Sequence, residues 1–254
     1  MLASGGVVVL SGAGMSEEAG IPTFRDPGGL WDRFDATEFG TWRGLAGLAT
    51  SRPDDLAEFL AALRRAFAGA RPGPGHRALG RLEAAGLVEA VVTQNVDGLH
   101  QEAGSRRVLE IHGSFLRNQC LACGRVDAVS REEVCDGLDR AVVGLRQAFV
   151  PSFESLLPKC SSCGGPARPD FVAFGEMLHD FAQAEELAAR CRVLLAVGTS
   201  GEVYPAASLP ETARSAGANV VVVAAGPTSL GGHVLVEGKA GRVLPDLAAA
   251  ALGS

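Results

Sequence analysis

An α/β fold is what the sequence predicts, on three observations: short runs of β-branched residues recur along the chain, glycine-rich turns follow them, and Ala/Leu-rich stretches with helical spacing come next. That alternation is the pattern of a parallel sheet covered by helices. The candidate strands are residues 7–10, 88–93, 108–111, 171–174, 193–197, 220–224 and 233–236, six or seven in all, enough for a Rossmann-sized sheet. Helical spacing is clearest over 54–68, where Leu56, Phe59, Leu60, Leu63 and Phe67 recur at i, i+3 and i+4, and is weaker over 184–189 and 206–216.

With 254 residues, 47% hydrophobic and 20% charged, the chain is expected to be globular, which excludes disordered and collagen-like classes. Its length suits one large domain carrying a small inserted one. The apolar runs fall far short of the roughly 18 to 20 residues that cross a bilayer, so no membrane span is expected. The start, Met1-Leu2-Ala3-Ser4-Gly5-Gly6, lacks the charged and apolar regions of a secretory signal. A cytoplasmic location and reduced cysteines are therefore expected. The net charge of −6, from 29 acidic against 23 basic residues, offers no attraction to nucleic acid or an anionic membrane.

Two stretches break the alternation: 30–75, helical and ending in Arg71-Pro72-Gly73-Pro74-Gly75, and 116–168, which holds five of the six cysteines. Both read as insertions that build a smaller domain, leaving 1–29, 76–115 and 169–254 for the sheet. Cys120-x-x-Cys123 and Cys160-x-x-Cys163 are two knuckles whose four sulfurs can close a tetrahedron around zinc. A single such pair would suit a redox dithiol equally; iron–sulfur or disulfide chemistry is the alternative for two. A four-thiolate zinc has no open position, so it would be structural. The 36 residues between the knuckles exceed the usual ribbon spacing and must leave and return. Cys191 reads as a small buried hydrophobe.

The first strand runs into Ser11-Gly12-Ala13-Gly14-Met15-Ser16, where Gly12 and Gly14 would let backbone N–H groups approach a pyrophosphate. The third glycine of the usual dinucleotide fingerprint is replaced by Glu17, so a plain tight turn is an equal reading. Further along, Thr93-Gln94-Asn95-Val96-Asp97-Gly98-Leu99-His100, Glu110-Ile111-His112-Gly113 and Val197-Gly198-Thr199-Ser200 each place polar or small residues after a strand, where open α/β sheets bind ligands. A histidine there is either a general base or structural.

Taken together, these residues resemble the sirtuins, the NAD-dependent protein-lysine deacylases, over nearly the whole chain. The likeness is carried by Gly12-Ala13-Gly14-Met15-Ser16, Gly20-Ile21-Pro22-Thr23-Phe24-Arg25, the segment from Thr93 to His100, His112-Gly113, the four cysteines, the segment from Arg168 to Glu176, and Gly198-Thr199-Ser200. The resemblance implies a Rossmann-type parallel sheet with a smaller inserted domain made of a helical module and a zinc ribbon. It also implies catalytic roles for His112 and Asn95, with NAD as co-substrate and one structural zinc. Gly12, Ala13, Gly14, Ser16, Gly20, Ile21, Phe24, Arg25, Gln94, Asn95, Asp97, Gly198, Thr199, Ser200, Ala224 and Ala240 would then bind NAD. Phe171, Val172, Phe174, Gly175 and Glu176 would bind the acyl-lysine protein, whose backbone adds as a strand. Leu60 and Leu63 would line the acyl group, and a monomer is expected.

Two departures qualify the resemblance. The branch of the family that removes succinyl groups uses a Tyr-x-x-Arg pair, and this chain aligns Leu60 and Leu63 with those positions, so a neutral acyl group is expected unless Arg64 reaches in. Ala224 stands where most sirtuins have an asparagine on the adenosine ribose, which implies a loss of about 1 kcal/mol in NAD affinity. Mono-ADP-ribosyl transfer, NAD hydrolysis and non-catalytic sensing of NAD or ADP-ribose remain as the alternatives.

Overall fold

The computed structural model describes residues 2–23, 28–147, 152–226 and 228–253. Its elements, in chain order, are β1 (Val7–Ser11), α1 (Leu30–Arg33), α2 (Ala36–Phe39), α3 (Trp42–Ser51), α4 (Pro53–Gly69), α5 (Pro74–Ala84), β2 (Val88–Thr93), α6 (Leu99–Glu102) and β3 (Val108–Glu110). There follow β4 (Gly113–Cys120), β5 (Val126–Ala128), α7 (Arg131–Arg146), β6 (Ala167–Phe171), α8 (Phe181–Arg190), β7 (Val193–Val197), α9 (Leu209–Ser215), β8 (Asn219–Ala224), β9 (Val234–Glu237) and α10 (Ala240–Leu252). Two compact units result: Met1–Ile21, Arg71–His112 and Leu178–Ser254 form the first, and Pro22–Ala70 with Gly113–Met177 the second.

The first unit is a six-stranded parallel sheet in the order β3-β2-β1-β7-β8-β9. Every residue of β1 and β7 is buried, because helices cover both faces and alternate side chains enter separate cores. Val8, Leu10, Ala90, Val92, Leu194 and Ala196 pack with Leu187 of α8 and Leu209 of α9. On the other face Val7, Val9, Val91, Leu195 and Val197 pack with Leu79 and Leu82 of α5 and Leu244 of α10. No helix among the described residues is long and apolar enough to cross a membrane.

The second unit joins helices α1 to α4 and α7 to a three-stranded antiparallel sheet in the order β5-β4-β6. Its core centres on Phe34, Phe39 and Phe59, whose ring centroids lie 5.0 to 5.1 Å apart. The long excursion between the cysteine pairs contains α7, which starts at a capping box made by Ser130 and Glu133. It lies against α4: Asp139 pairs with Arg64 at 2.9 Å, and the Arg131 guanidinium sits 4.4 Å over the Phe67 ring.

Several expectations are corrected. The strand expected at 171–174 is Ala167–Phe171 instead, because it pairs antiparallel with β4; that pairing carries 169–177 into the second unit rather than the sheet domain. The boundaries expected at 29/30, 75/76 and 115/116 lie at Ile21/Pro22, Ala70/Arg71 and His112/Gly113; the second moves because Gly73 caps α5 and Pro74 opens it at a position where its missing N–H costs nothing. The Arg71-to-Gly75 segment is thus a helix start and not only a turn. Strands β4 and β5 and helix α7 carry mixed polar sequences with little periodicity, and were not anticipated.

Candidate active site and metal centre

At the carboxyl ends of β1 and β7 two turns meet backbone to backbone. Gly12 N–H donates to Val197 O at 3.0 Å and Gly14 N–H to Gly198 O at 2.9 Å. These two N–H groups therefore hold the turns together, so the glycines' own amides are not the ones left for a pyrophosphate. Their lack of a side chain serves close approach. A Cβ at Gly12 would lie 2.8 Å from Gly198 O, and one at Gly14 would lie 2.9 Å from Gly198 Cα. Gly198 itself has φ of +61°, in the left-handed region, with the Met15 amide pressed against the place a Cβ would take.

Above this junction Asn95, at 7% exposure, donates through Nδ2 to Gly12 O and to Ser16 Oγ, both at 3.1 Å. Ser16 Oγ donates to Asp97 Oδ2 at 2.7 Å, and Asp97 Oδ1 accepts the Leu99 N–H at 2.9 Å. Since both Nδ2 hydrogens of Asn95 are engaged, its Oδ1 is the atom left to receive a bond. Gln94 Nε2 donates to Thr199 Oγ1 at 2.9 Å, linking the β2 turn to the β7 turn. Ser200 supports the neighbouring loop by its carbonyl, which accepts Ser229 N–H at 2.8 Å.

Two histidines lie beneath these residues, and neither was singled out from the sequence. His76 Nδ1 accepts the Gly73 N–H at 3.2 Å, so its proton sits on Nε2, which faces Ser16 Oγ at 3.4 Å. His100 Nε2 lies 2.8 Å from Ser11 Oγ, and Ser11 Oγ donates to Thr93 Oγ1 at 2.8 Å, so His100 is the donor. The two rings meet edge to face with centroids 4.9 Å apart. Burial, followed by the neighbouring His76, pushes His100 down to about 3, and burial lowers His76 as well. A signal was available: the chain has five histidines, and these two flank the turns already suspected.

His112 follows β3. Its Nδ1 lies 3.0 Å from Gln94 O, and a carbonyl only accepts, so Nδ1 carries the proton and Nε2 keeps a free lone pair. Burial holds its pKa below the ordinary imidazole range, partly opposed by that hydrogen bond. A neutral, oriented imidazole is ready to accept a proton.

The other expected residues fall as follows. Phe24 and Arg25 lie outside the described residues. Ala13, Gly20 and Ile21 belong to the same turn as Ser16, whose carbonyl accepts the Ile21 N–H at 3.3 Å. Ala224 ends β8 and is buried in one sheet core; Ala240 opens α10 and is buried in the other. In the second unit Phe171 stacks on Trp42 at 4.7 Å, and Val172 follows it. Phe174 N–H donates to Gly40 O at 2.9 Å. The Glu176 carboxylate, beyond Gly175, accepts Ala173 N–H at 2.9 Å and Arg168 Nη1 at 2.7 Å, which closes that turn on itself. Leu60 and Leu63 are half-buried against the aromatic core.

Also in the second unit, Cys120, Cys123, Cys160 and Cys163 bring their sulfurs within 4.8 Å of one another. Separations of 3.5, 3.6 and 3.8 Å match the edge of about 3.8 Å that Zn–S bonds of 2.3 Å give a tetrahedron. Amide N–H groups of Ala122, Cys123 and Ser162 point at sulfur from 3.4 Å, which favours thiolates. The set fits a structural zinc. Cys191 is buried in a sheet core, where burial pushes its thiol up to about 11.

Residues 12–205 match the profile of the Sir2 family. The chain belongs to that family. An NAD-dependent protein deacylase of Desulfosudis oleivorans is 41% identical over 241 residues, covering 94% of this chain and 88% of the relative. NAD-dependent protein deacylase 2 of Pyrobaculum aerophilum is 45% identical over 244 residues, again covering 94% and 88%. A crystal structure of a Sir2 homologue in complex with NAD superposes with a TM-score of 0.78 at 32% identity, covering 99% of this Sir2 protein and 91% of the other chain.

Two expectations follow. Because His100 is pushed down to about 3 in the folded protein while an unfolded histidine titrates near 6.5, its contribution to stability is complete above pH 6.5 and is lost as pH falls towards 3. His100→Gln should flatten the loss of unfolding free energy between pH 6.5 and 5 by about 1.4 kcal/mol per pH unit in urea titrations; equal slopes would refute the assignment. Cys160→Ser should abolish zinc in elemental analysis of the purified protein and remove amide-exchange protection from β4 to β6, with the parallel sheet still protected.

Proposed function

We propose that this Sir2 protein is an NAD-dependent protein-lysine deacylase that transfers the acyl group to ADP-ribose and releases nicotinamide, O-acyl-ADP-ribose and the free lysine. The observation that carries the reading is His112, whose Nδ1–H is fixed on Gln94 O so that Nε2 is a preformed base. NAD supplies an electrophilic ribose carbon once nicotinamide leaves, and the weakly nucleophilic acyl-lysine oxygen needs to be held in line with it. No nucleophilic side chain is required. His112 Nε2 takes the proton of a ribose hydroxyl, which lets that oxygen attack the acyl carbon. Asn95 Oδ1 receives a hydrogen bond from ribose or water, while Asp97 and Ile21 hold the nicotinamide amide. Phe24 screens the reacting carbon from solvent. Gly12, Ala13, Gly14, Ser16, Gly20, Arg25, Gln94, Gly198, Thr199 and Ser200 surround the phosphates and ribose, with Ala224 and Ala240 on the adenosine side.

The protein substrate adds as a strand beside the end of β6 and the segment that leaves it, from Phe171 and Val172 to Phe174, Gly175 and Glu176. Leu60 and Leu63 present an apolar wall to the acyl chain, and the Arg64 guanidinium already has a carboxylate partner, Asp139 at 2.9 Å. A carboxylate desolvated there would lack a cationic partner. The reading extends to a cytoplasmic monomer whose negative charge favours protein over nucleic-acid partners.

Mass spectrometry of one lysine peptide carrying acetyl, butyryl, myristoyl or succinyl groups, with and without NAD, tests the reading. NAD-dependent loss of the neutral groups is expected to exceed loss of succinyl by at least about tenfold, and preferred loss of succinyl would overturn the acyl assignment. Nicotinamide release without deacylation would overturn the deacylase itself. His112→Ala should lower kcat/KM by about 10² to 10⁴ with ADP-ribose binding retained. In the wild type kcat/KM should fall only as pH drops through a value below the ordinary imidazole range, and this acid limb should vanish in the variant.

A further inference from the structure

Between Ser16 and Gly20 the backbone makes one 3-10 turn, Glu17–Ala19, with Ala19 N–H on Ser16 O and Gly20 N–H on Glu17 O, both at 3.0 Å. Both acidic residues of this turn are exposed, and each finds a partner on α10. Glu18 Oε2 accepts the Gly241 N–H at 2.7 Å, and Glu17 Oε1 lies 3.1 Å from Lys239 Nζ. The Glu17–Lys239 pair is solvated and adds little. The Glu18 contact is of another kind. Lys239 caps α10 without a side-chain bond, so Glu18 satisfies an N–H that the helix cannot satisfy and sets a negative charge at its positive end.

From below, Met15 and Ala240 are buried in the same core cluster, at 3% and 4% exposure. The segment is therefore held to α10 by Glu18 on Gly241 and shares with it the core that buries Met15 and Ala240. Within the segment Ile21 N–H closes on Ser16 O, so a shift of the turn moves both residues.

We infer that Glu18 is a positioning residue for the dinucleotide: by holding the α10 N-terminus it fixes Ser16, at the phosphates and ribose, and Ile21, at the nicotinamide, relative to Ala240, on the adenine side. This rests on the NAD-binding roles proposed above. Gly241 offers independent access to the same contact. A Cβ there would fall on the Glu18 carboxylate, so Gly241→Ala displaces Glu18 without altering it, while alanine is the better helix former. A contact that served stability alone would be lost in Glu18→Ala and compensated in Gly241→Ala; a positioning contact is lost in both.

The test compares Glu18→Ala, Glu18→Gln and Gly241→Ala with the wild type in steady-state deacylation of an acetyl-lysine peptide, calorimetric titration with ADP-ribose, and thermal unfolding. Glu18→Ala and Gly241→Ala should each raise KM for NAD and Kd for ADP-ribose by about three- to tenfold, the fold-change of one hydrogen bond. The kcat at saturating NAD and the KM for peptide should stay within about twofold. Glu18→Gln keeps an acceptor for the same N–H and should restore both NAD parameters to within about twofold of wild type. Gly241→Ala should unfold no lower than wild type. Unchanged NAD and ADP-ribose parameters in Glu18→Ala and Gly241→Ala would overturn the inference. So would a lowered unfolding midpoint in Glu18→Ala with every kinetic parameter falling together and Gly241→Ala unaffected. A wild-type protein that neither consumes NAD nor binds ADP-ribose would instead overturn the proposed function, and the inference with it.

Discussion

The polar end of the first unit depends on the backbone contact between the turns after β1 and β7. Gly12 and Gly14 lie so close to Gly198 that no Cβ can enter from either side, and each turn uses its N–H groups or carbonyls on the other. Once that junction is made, Gly12 O is in place to accept from Asn95, and Thr199 is in place to accept from Gln94. Gln94 in turn presents the carbonyl that selects the tautomer of His112. A side chain at the junction would therefore act first on geometry and only through it on chemistry.

Burial sharpens the consequences. In a dry, low-dielectric setting an unpaired polar atom is costly, so the direction of each hydrogen bond is set by what its partner can do. Gly73 N–H can only donate, which puts the His76 proton on Nε2; Ser16, given that proton and an Asn95 hydrogen, passes its own to Asp97. Asn95 is thereby oriented with both amide hydrogens spent and its amide oxygen left to accept. His100 Nδ1 is one of the few buried side-chain atoms with no partner among the described residues, in keeping with an imidazole that stays neutral far into acid.

The second unit is organised by its aromatic core and by four sulfurs, two constraints that meet in α7. The excursion between the knuckles returns on a capped helix whose Asp139 and Arg131 grip α4. That grip engages Arg64, and it explains why a ribbon with short knuckles tolerates a long insertion: the inserted residues complete the helical core through Leu145.

The sequence alone determined what is local or periodic. Alternating β-branched runs, the spacing of Leu56, Phe59 and Phe67, the two cysteine knuckles, and the polar turns after β1, β2, β3 and β7 are each set within a few residues, where steric preference and side-chain period act directly. His112 and Asn95 were legible for that reason. Only the tertiary structure decided which groups satisfy which. Gln94 meets Thr199 across 105 positions and His76 meets Ser16 across 60, and no local pattern encodes such pairs. The same holds for the N–H groups of Gly12 and Gly14, for β6 pairing with β4 rather than joining the parallel sheet, and for Glu18 on α10. Hydrogen-bond partners and tautomers are properties of packed neighbours, and the neighbours exist only once the chain has folded.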